Sequence, residues 1–189
     1  ERHPRYVEPL NPLAFLPWDA TKAVMLTRRD NWNHLYLVDL ASQQKKADWH
    51  EAEGGGTVLD RCHTQLLTPG EFEIINFAGF NEKSRTAVFT ANADHPLRHG
   101  IYTVSVRGKG GIKRISVDDG CHTIQLSARG SQLTDLYSSP TVRRSLNLIT
   151  TSDGKSVNLL TASDPLTGYK FPEITSGCIK AADGETDLY

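Results

Sequence analysis

Histidines, cysteines and carboxylates are the side chains in this sequence that could bind a metal or move a proton. Cys62-His63 and Cys121-His122 are paired soft donors, and a structural zinc site takes four such ligands. The two pairs stand a whole repeat apart, and one falls in a polar insertion, so they read as separate local residues. His95 and His99 are four positions apart, but Pro96 breaks any helix that would set them on one face. Asp30, Asp119 and Asp183 each precede Asn or Gly, the pattern of a turn. His34 and Trp32 read as turn and packing residues. Neither a metal site nor a cofactor is expected.

Composition narrows the remaining classes. A formal net charge of −1 over 189 residues leaves no electrostatic footprint for nucleic acid, and there is no Lys/Arg-rich run. No apolar stretch approaches the roughly 18 residues of a membrane span. The cysteines, Cys62, Cys121 and Cys178, are odd in number and far apart, with no CxxC, so they make no disulfide framework. No Asn-x-Ser/Thr sequon is present. The sequence opens on Glu1 without a signal-peptide pattern and reads as a piece of something longer, so it does not constrain the compartment.

The elements that must position these residues are strands. Glu1 to Leu13 carries Pro4, Pro9 and Pro12 and is expected to be extended or irregular. Leu13 to Leu16 is a short strand candidate. The organising stretch follows: Ala23 to Thr27, a polar turn, and then Leu35 to Leu40 with alternating residues, a β-hairpin pattern. Asp30-Asn31 sits where such a turn needs φ > 0, which Asn tolerates. Ala41 to Cys62 is polar, with Gly54-Gly55-Gly56 in its middle, and reads as an exposed insertion with a helical turn around Gln43 to Glu53. Gln65 to Thr68 resumes strand character.

Two further passes repeat the pattern. One has strands at Glu71–Ala78, Thr86–Thr90, Ile101–Val106 and Ile112–Ser116; the other has them at Thr123–Leu126, Leu133–Tyr137, Leu146–Thr150 and Val157–Thr161. Thr68, Ser116 and Thr161, which end the fourth strands, stand 48 and 45 residues apart, within the range of four-stranded propeller blades. The expected fold is all-β: a partial β-propeller of about three four-stranded antiparallel blades over residues 1–165. The alternative of similar strand density is an immunoglobulin-like sandwich, which the matching repeat spacing disfavours.

Arg28-Arg29-Asp30-Asn31-Trp32-Asn33-His34-Leu35-Tyr36-Leu37-Val38-Asp39 resembles a signature of the dipeptidyl peptidase IV family, with Asn31 in place of a usual Gly. Gln65 to Glu73 is similar to a second motif of that family, with Phe72 for Trp. Phe89 to Leu97 with His99 and Tyr102 is similar to a third, and Gly120, His122 and Tyr137-Ser138-Ser139-Pro140 fit its last blade. Residues 179–189 resemble the segment that opens the family's α/β-hydrolase domain, making 166–189 a linker and first strand toward it. Only Ala41 to Cys62 falls outside the resemblance.

The resemblance implies a serine exopeptidase that removes dipeptides from peptide N-termini, with an eight-bladed propeller capping the hydrolase domain. The expected partners are therefore peptide substrates and an α/β-hydrolase domain of the same parent chain, in a secreted or periplasmic protein. The nucleophile of such an enzyme sits on a Gly-x-Ser-x-Gly elbow, and no such motif occurs here. The family's Glu-Glu amine anchor is also missing, since no two glutamates are adjacent. No catalytic residue is therefore assigned. Tyr6, placed like an aromatic wall of the family's second-residue subsite, is the single substrate-binding candidate; Val7 stands where the family has Arg. The rival reading is a non-enzymatic propeller that binds protein or glycan, although Trp18, Trp32 and Trp49 do not fall at equivalent repeat positions. Unpaired blade edges of a partial ring imply self-association.

Overall fold

The computed structural model describes residues 11–43, 49–51, 56–108, 110–165, 167–170, 172 and 175–189. It is all-β, built around three four-stranded antiparallel sheets that are successive propeller blades. Blade I contains β1 (Ala14–Leu16), β2 (Asp19–Thr27) and β3 (His34–Asp39). A hairpin of β4 (Trp49–Glu51) and β5 (Thr57–Leu59) then intervenes before β6 (His63–Leu66) completes the order β1-β2-β3-β6. Blade II runs β7 (Ile74–Asn81), β8 (Thr86–Ala91), β9 (Gly100–Ser105) and β10 (Lys113–Arg114). Blade III runs β11 (Cys121–Leu126), β12 (Gln132–Ser138), β13 (Ser145–Thr150) and β14 (Ser156–Thr161). A two-stranded hairpin, β15 (Ile179–Lys180) with β16 (Asp187–Leu188), follows.

Period-two alternation in blade II feeds two cores. Ala87, Phe89, Ala91, Tyr102 and Val104 point toward blade I, where they meet Leu16, Val24, Leu35 and Leu67. The residues between them, Val88 and Ile101, join Ile124, Leu133 and Ile149 of blade III. A strand buried on both faces has no polar side, which is why the middle of β8, Ala87-Val88-Phe89, is an unbroken apolar run. The turn of blade III also locks onto blade II. Gly130 has φ +70, and a Cβ there would sit 1.9 Å from the Phe80 carbonyl oxygen, so only glycine fits.

The repeat marker has a structural cause. The Thr68 hydroxyl accepts a hydrogen bond from the buried Leu35 N–H at 3.0 Å, and the Ser116 hydroxyl accepts one from Ile101 N–H at 3.1 Å. Leu67 and Ile115, one residue earlier, each donate 2.8 Å bonds to the carbonyls of the same two residues. The hydroxyl thus satisfies a third-strand amide that the departing fourth strand no longer reaches. In blade III, Thr161 meets the Ser145 hydroxyl instead, at 3.0 Å.

Several boundaries differ from the sequence reading. Of the helical turn expected around Gln43 to Glu53, residues 44–48 and 52–53 lie outside the described residues, and Trp49–Glu51 is instead a strand paired with Thr57–Leu59; a 3₁₀ turn forms earlier, at Leu40–Ser42. Gln, Lys and Glu favour helix, but this stretch has no apolar stripe, and the hairpin instead buries Val58 almost completely. The described part of the insertion is therefore only partly exposed. Strand β7 begins at Ile74 rather than Glu71. Glu73 is held back by Asn92, whose side-chain oxygen accepts from Glu73 N at 2.7 Å while its own N–H donates to Glu73 O at 3.2 Å. The turn at Asn31 has φ +75, as its sequence requires.

Replacing Thr68 by Val or Ser116 by Ala leaves a buried amide unpartnered, at a cost of about 1–3 kcal/mol. Urea midpoints should drop for both, and much less for Thr161→Val, where no strand amide loses its partner.

Candidate functional site

In three consecutive antiparallel blades, the β2–β3, β8–β9 and β12–β13 connections and the blade-to-blade crossings share one rim. Motif residues of the first hairpin weld this rim together. Arg28 pairs with Glu73, whose other carboxylate oxygen accepts from Asn33 N at 3.2 Å. The Asn33 side-chain amide donates to Ile74 O at 2.7 Å, and Ile74 N donates back to Asn33 O at 3.0 Å. Behind them, His34 is buried with Nδ1 2.7 Å from the Asp30 carboxylate and its ring 5.2 Å from Phe72. His34 and Asp30 are thus turn and packing residues.

A cleft of about 180 Å³ opens where blades II and III meet on the same rim. Arg114 lies across it, donating to Asp94 and Asp119 at 2.9 Å each and to the Asp118 carbonyl at 2.9 Å. Arg98 donates to the other oxygen of Asp119 at 3.0 Å, and the Tyr102 hydroxyl donates to Asp94 at 2.8 Å. The Arg114 guanidinium, through its hydrogen bond and its charge, holds the Asp119 carboxyl below the ordinary carboxylate range. Burial pushes the Tyr102 phenol well above its ordinary value, and the hydrogen bond to anionic Asp94 adds to this. The rim also receives the end of the chain: the Tyr189 ring stands edge-on to His95, with centroids 5.7 Å apart.

Below the cleft, His122 and Asp135 form a buried pair, with Nδ1 2.9 and 3.0 Å from the two carboxylate oxygens. His122 Nε2 lies 3.1 Å from the Asp118 carbonyl, and Asn147 donates to Asp135 at 3.3 Å. Both ring nitrogens already have partners inside the protein, and His122 serves as a packing and joining residue. Cys62 and Cys121 lie in different blades, and among the described residues no three His, Cys, Asp or Glu side chains are grouped to hold a metal. His95 and His99 lie in the β8–β9 connection; His99 N donates to Gly120 O at 3.0 Å. Trp18 is a packing residue, 5.6 Å from the Phe80 ring with the Arg85 guanidinium over it.

Tyr6 lies outside the described residues, so its assignment as a subsite wall stays with the sequence. Asp135, Asn147 and Arg114 escaped sequence reasoning altogether. The available signal was Asp135 alternating with Leu133 and Tyr137, which places a carboxylate on the inward face of β12.

The architecture and the rim motifs agree with comparisons to known proteins. Residues 1–144 match the dipeptidyl peptidase IV (DPP IV) N-terminal region. The chain belongs to this family. It is 24% identical over 160 residues to a protein described as a probable dipeptidyl peptidase 4 of Arthroderma benhamiae, covering 80% of this chain and 21% of that one. The dipeptidyl peptidase 4 of Trichophyton rubrum is 24% identical over 168 residues, covering 86% of this chain and 19% of that one. The chain thus spans about a fifth of the length of these curated relatives. A crystal structure described as a dipeptidyl aminopeptidase IV from Bacteroides ovatus superposes with a TM-score of 0.86 at 39% identity, covering 98% of this chain and 26% of that one. The Porphyromonas gingivalis dipeptidyl peptidase 4 structure, at 17% identity and a TM-score of 0.65, shares the fold over 91% of this chain and 22% of its own. Within the DPP IV family frame, the motif residues Asp30, Asn33, His34, Glu73 and Asn92 join strands and blades.

In an alkaline titration followed by tyrosinate absorbance, Tyr102 should stay protonated after ordinary phenols ionise near pH ~10. Its raised value contributes stability that is present below the unfolded-state value and lost as pH rises through the folded one. Tyr102→Phe should remove that late step.

Proposed function

We propose that this chain is the propeller part of a DPP IV-like serine exopeptidase that removes dipeptides from peptide N-termini. The observation that carries the reading is the family match over residues 1–144, with the motif residues placed at the inter-blade joints of one rim. The chain holds no Gly-x-Ser-x-Gly elbow, so the nucleophile would come from an α/β-hydrolase domain of the same parent chain. The blades would form a rigid wall that admits peptides and turns folded proteins away. Tyr6 would line the subsite of the second substrate residue. The parent protein would be secreted or periplasmic.

The direct test is hydrolysis of a Gly-Pro chromogenic amide by the full-length parent and by this chain alone. The parent should cleave it and the isolated chain should not. In the parent, Tyr6→Ala should raise KM several-fold with a smaller change in kcat. A parent inert toward both Gly-Pro and Ala-Ala amides overturns the peptidase reading and favours a binding module.

The isolated chain should also self-associate. Among the described residues blade III is covered on its blade II side only, and Leu136, Val157 and Leu160 are exposed, the last at 64%. Paired across β12, β13 and β14, Leu136, Leu146 and Leu160 form one apolar row. Light scattering should show mass rising with concentration; a monomer at tens of micromolar sinks this expectation.

A further inference from the structure

Blade I has two faces, and they are covered differently. The face bearing Val24 and Leu35 packs on blade II. Register places Phe15, Ala23 and Val38 on the opposite face, together with Met25 and Tyr36. On this outer face burial changes across the blade. At the first strand, Phe15 is 55% exposed and Leu13 beside it 39%; toward the last strands, Tyr36 falls to 9% and Val38 to 7%.

The cover over the last strands is the insertion. Val58 on β5 is 2% exposed and shares a cavity of about 200 Å³ with Leu13, Met25, Val38 and Thr64. Arg29 leaves the rim turn, lies over the Tyr36 ring at 4.9 Å from its centroid, and donates to both Asp60 oxygens at 3.0 and 2.7 Å. Thr64 on β6 donates to the same carboxylate at 3.1 Å. The charge-assisted Arg29–Asp60 pair, in which Nη1 reaches both carboxylate oxygens and the side chains are 10% and 19% exposed, fixes this part of the insertion in place.

Propeller blades radiate from an axis, so neighbouring sheets touch at their inner strands and splay apart at their outer ones. A blade face that is bare at the inner strand and padded at the outer strands matches such a widening gap. We propose that residues 49–51 and 56–62 form a wedge between blade I and the blade that precedes it in the parent chain. That preceding blade contacts Phe15 directly near the axis and the wedge near the circumference. Trp49, 43% exposed on β4, lies on the wedge. Arg29 is its positioning residue. The inference rests on the parent ring being complete, as the proposed function requires.

The test uses the full-length parent with a photoreactive benzoylphenylalanine at Trp49 or at Phe15, two exposed aromatic positions. Irradiation and peptide mapping should join both probes to the same segment upstream of β1. The Trp49 cross-link should weaken several-fold in Arg29→Ala and recover in the charge-swapped Arg29→Asp/Asp60→Arg protein. Cross-linking from Phe15 but not from Trp49 overturns the wedge and leaves the ring intact. No upstream cross-link from either probe overturns the complete ring, and the wedge with it. Hydrogen exchange of the unmodified parent supplies a second reading: amides of residues 57–59 should be as protected as those of 14–16, and exchange at the unfolded rate sinks the wedge.

Discussion

The structure depends on a sheet that is buried on both faces. Blade II cannot exist alone, because alternate residues of β8 and β9 feed separate cores toward blade I and blade III. Each apolar side chain removed from water stabilises the assembly by about 1.5–3 kcal/mol, so Phe89, Tyr102, Val88 and Ile101 hold their neighbours as firmly as their own sheet. This constraint makes the three blades one unit. It also dictates that a terminal blade shows one dry face and one face that needs a cover.

The rim is where backbone ends must be reconciled between blades. Every crossing leaves an amide or carbonyl without a ladder partner, and short polar side chains fill those places: Thr68 for Leu35, Ser116 for Ile101, Asn92 for Glu73, and Asn33 for Ile74. These residues look chemically active in a linear motif, yet their atoms are committed to the joints. The family signature is, in this part of the protein, mainly a record of how blades are joined. The Arg98–Arg114 cleft gathers two cationic groups on this rim, and there each guanidinium already has carboxylate partners.

Much of this was legible in the residues. Alternation around Asn31 specified the first hairpin because side-chain direction reverses at every residue of a strand. The spacing of Thr68, Ser116 and Thr161 revealed the repeat because each hydroxyl marks the end of a fourth strand. Strand ends were less legible: β7 starts at Ile74 because a side chain nineteen positions away, Asn92, holds Glu73 out of the ladder. The insertion was less legible because its polar composition describes its outer surface, while Val58 on its described hairpin is buried.

The sequence by itself determined the strand pattern, the turn at Asn31, the number of repeats and, through its motifs in series, the family. These are properties of near neighbours and of regular spacing, and both survive in a linear string. Only the tertiary structure decided that His122 is held by Asp135, that Arg29 reaches Asp60 across Tyr36, and that the outer face of blade I is half covered. Those contacts join residues on different strands or loops, and a buried charge or a covered face depends on what the packing brings against it.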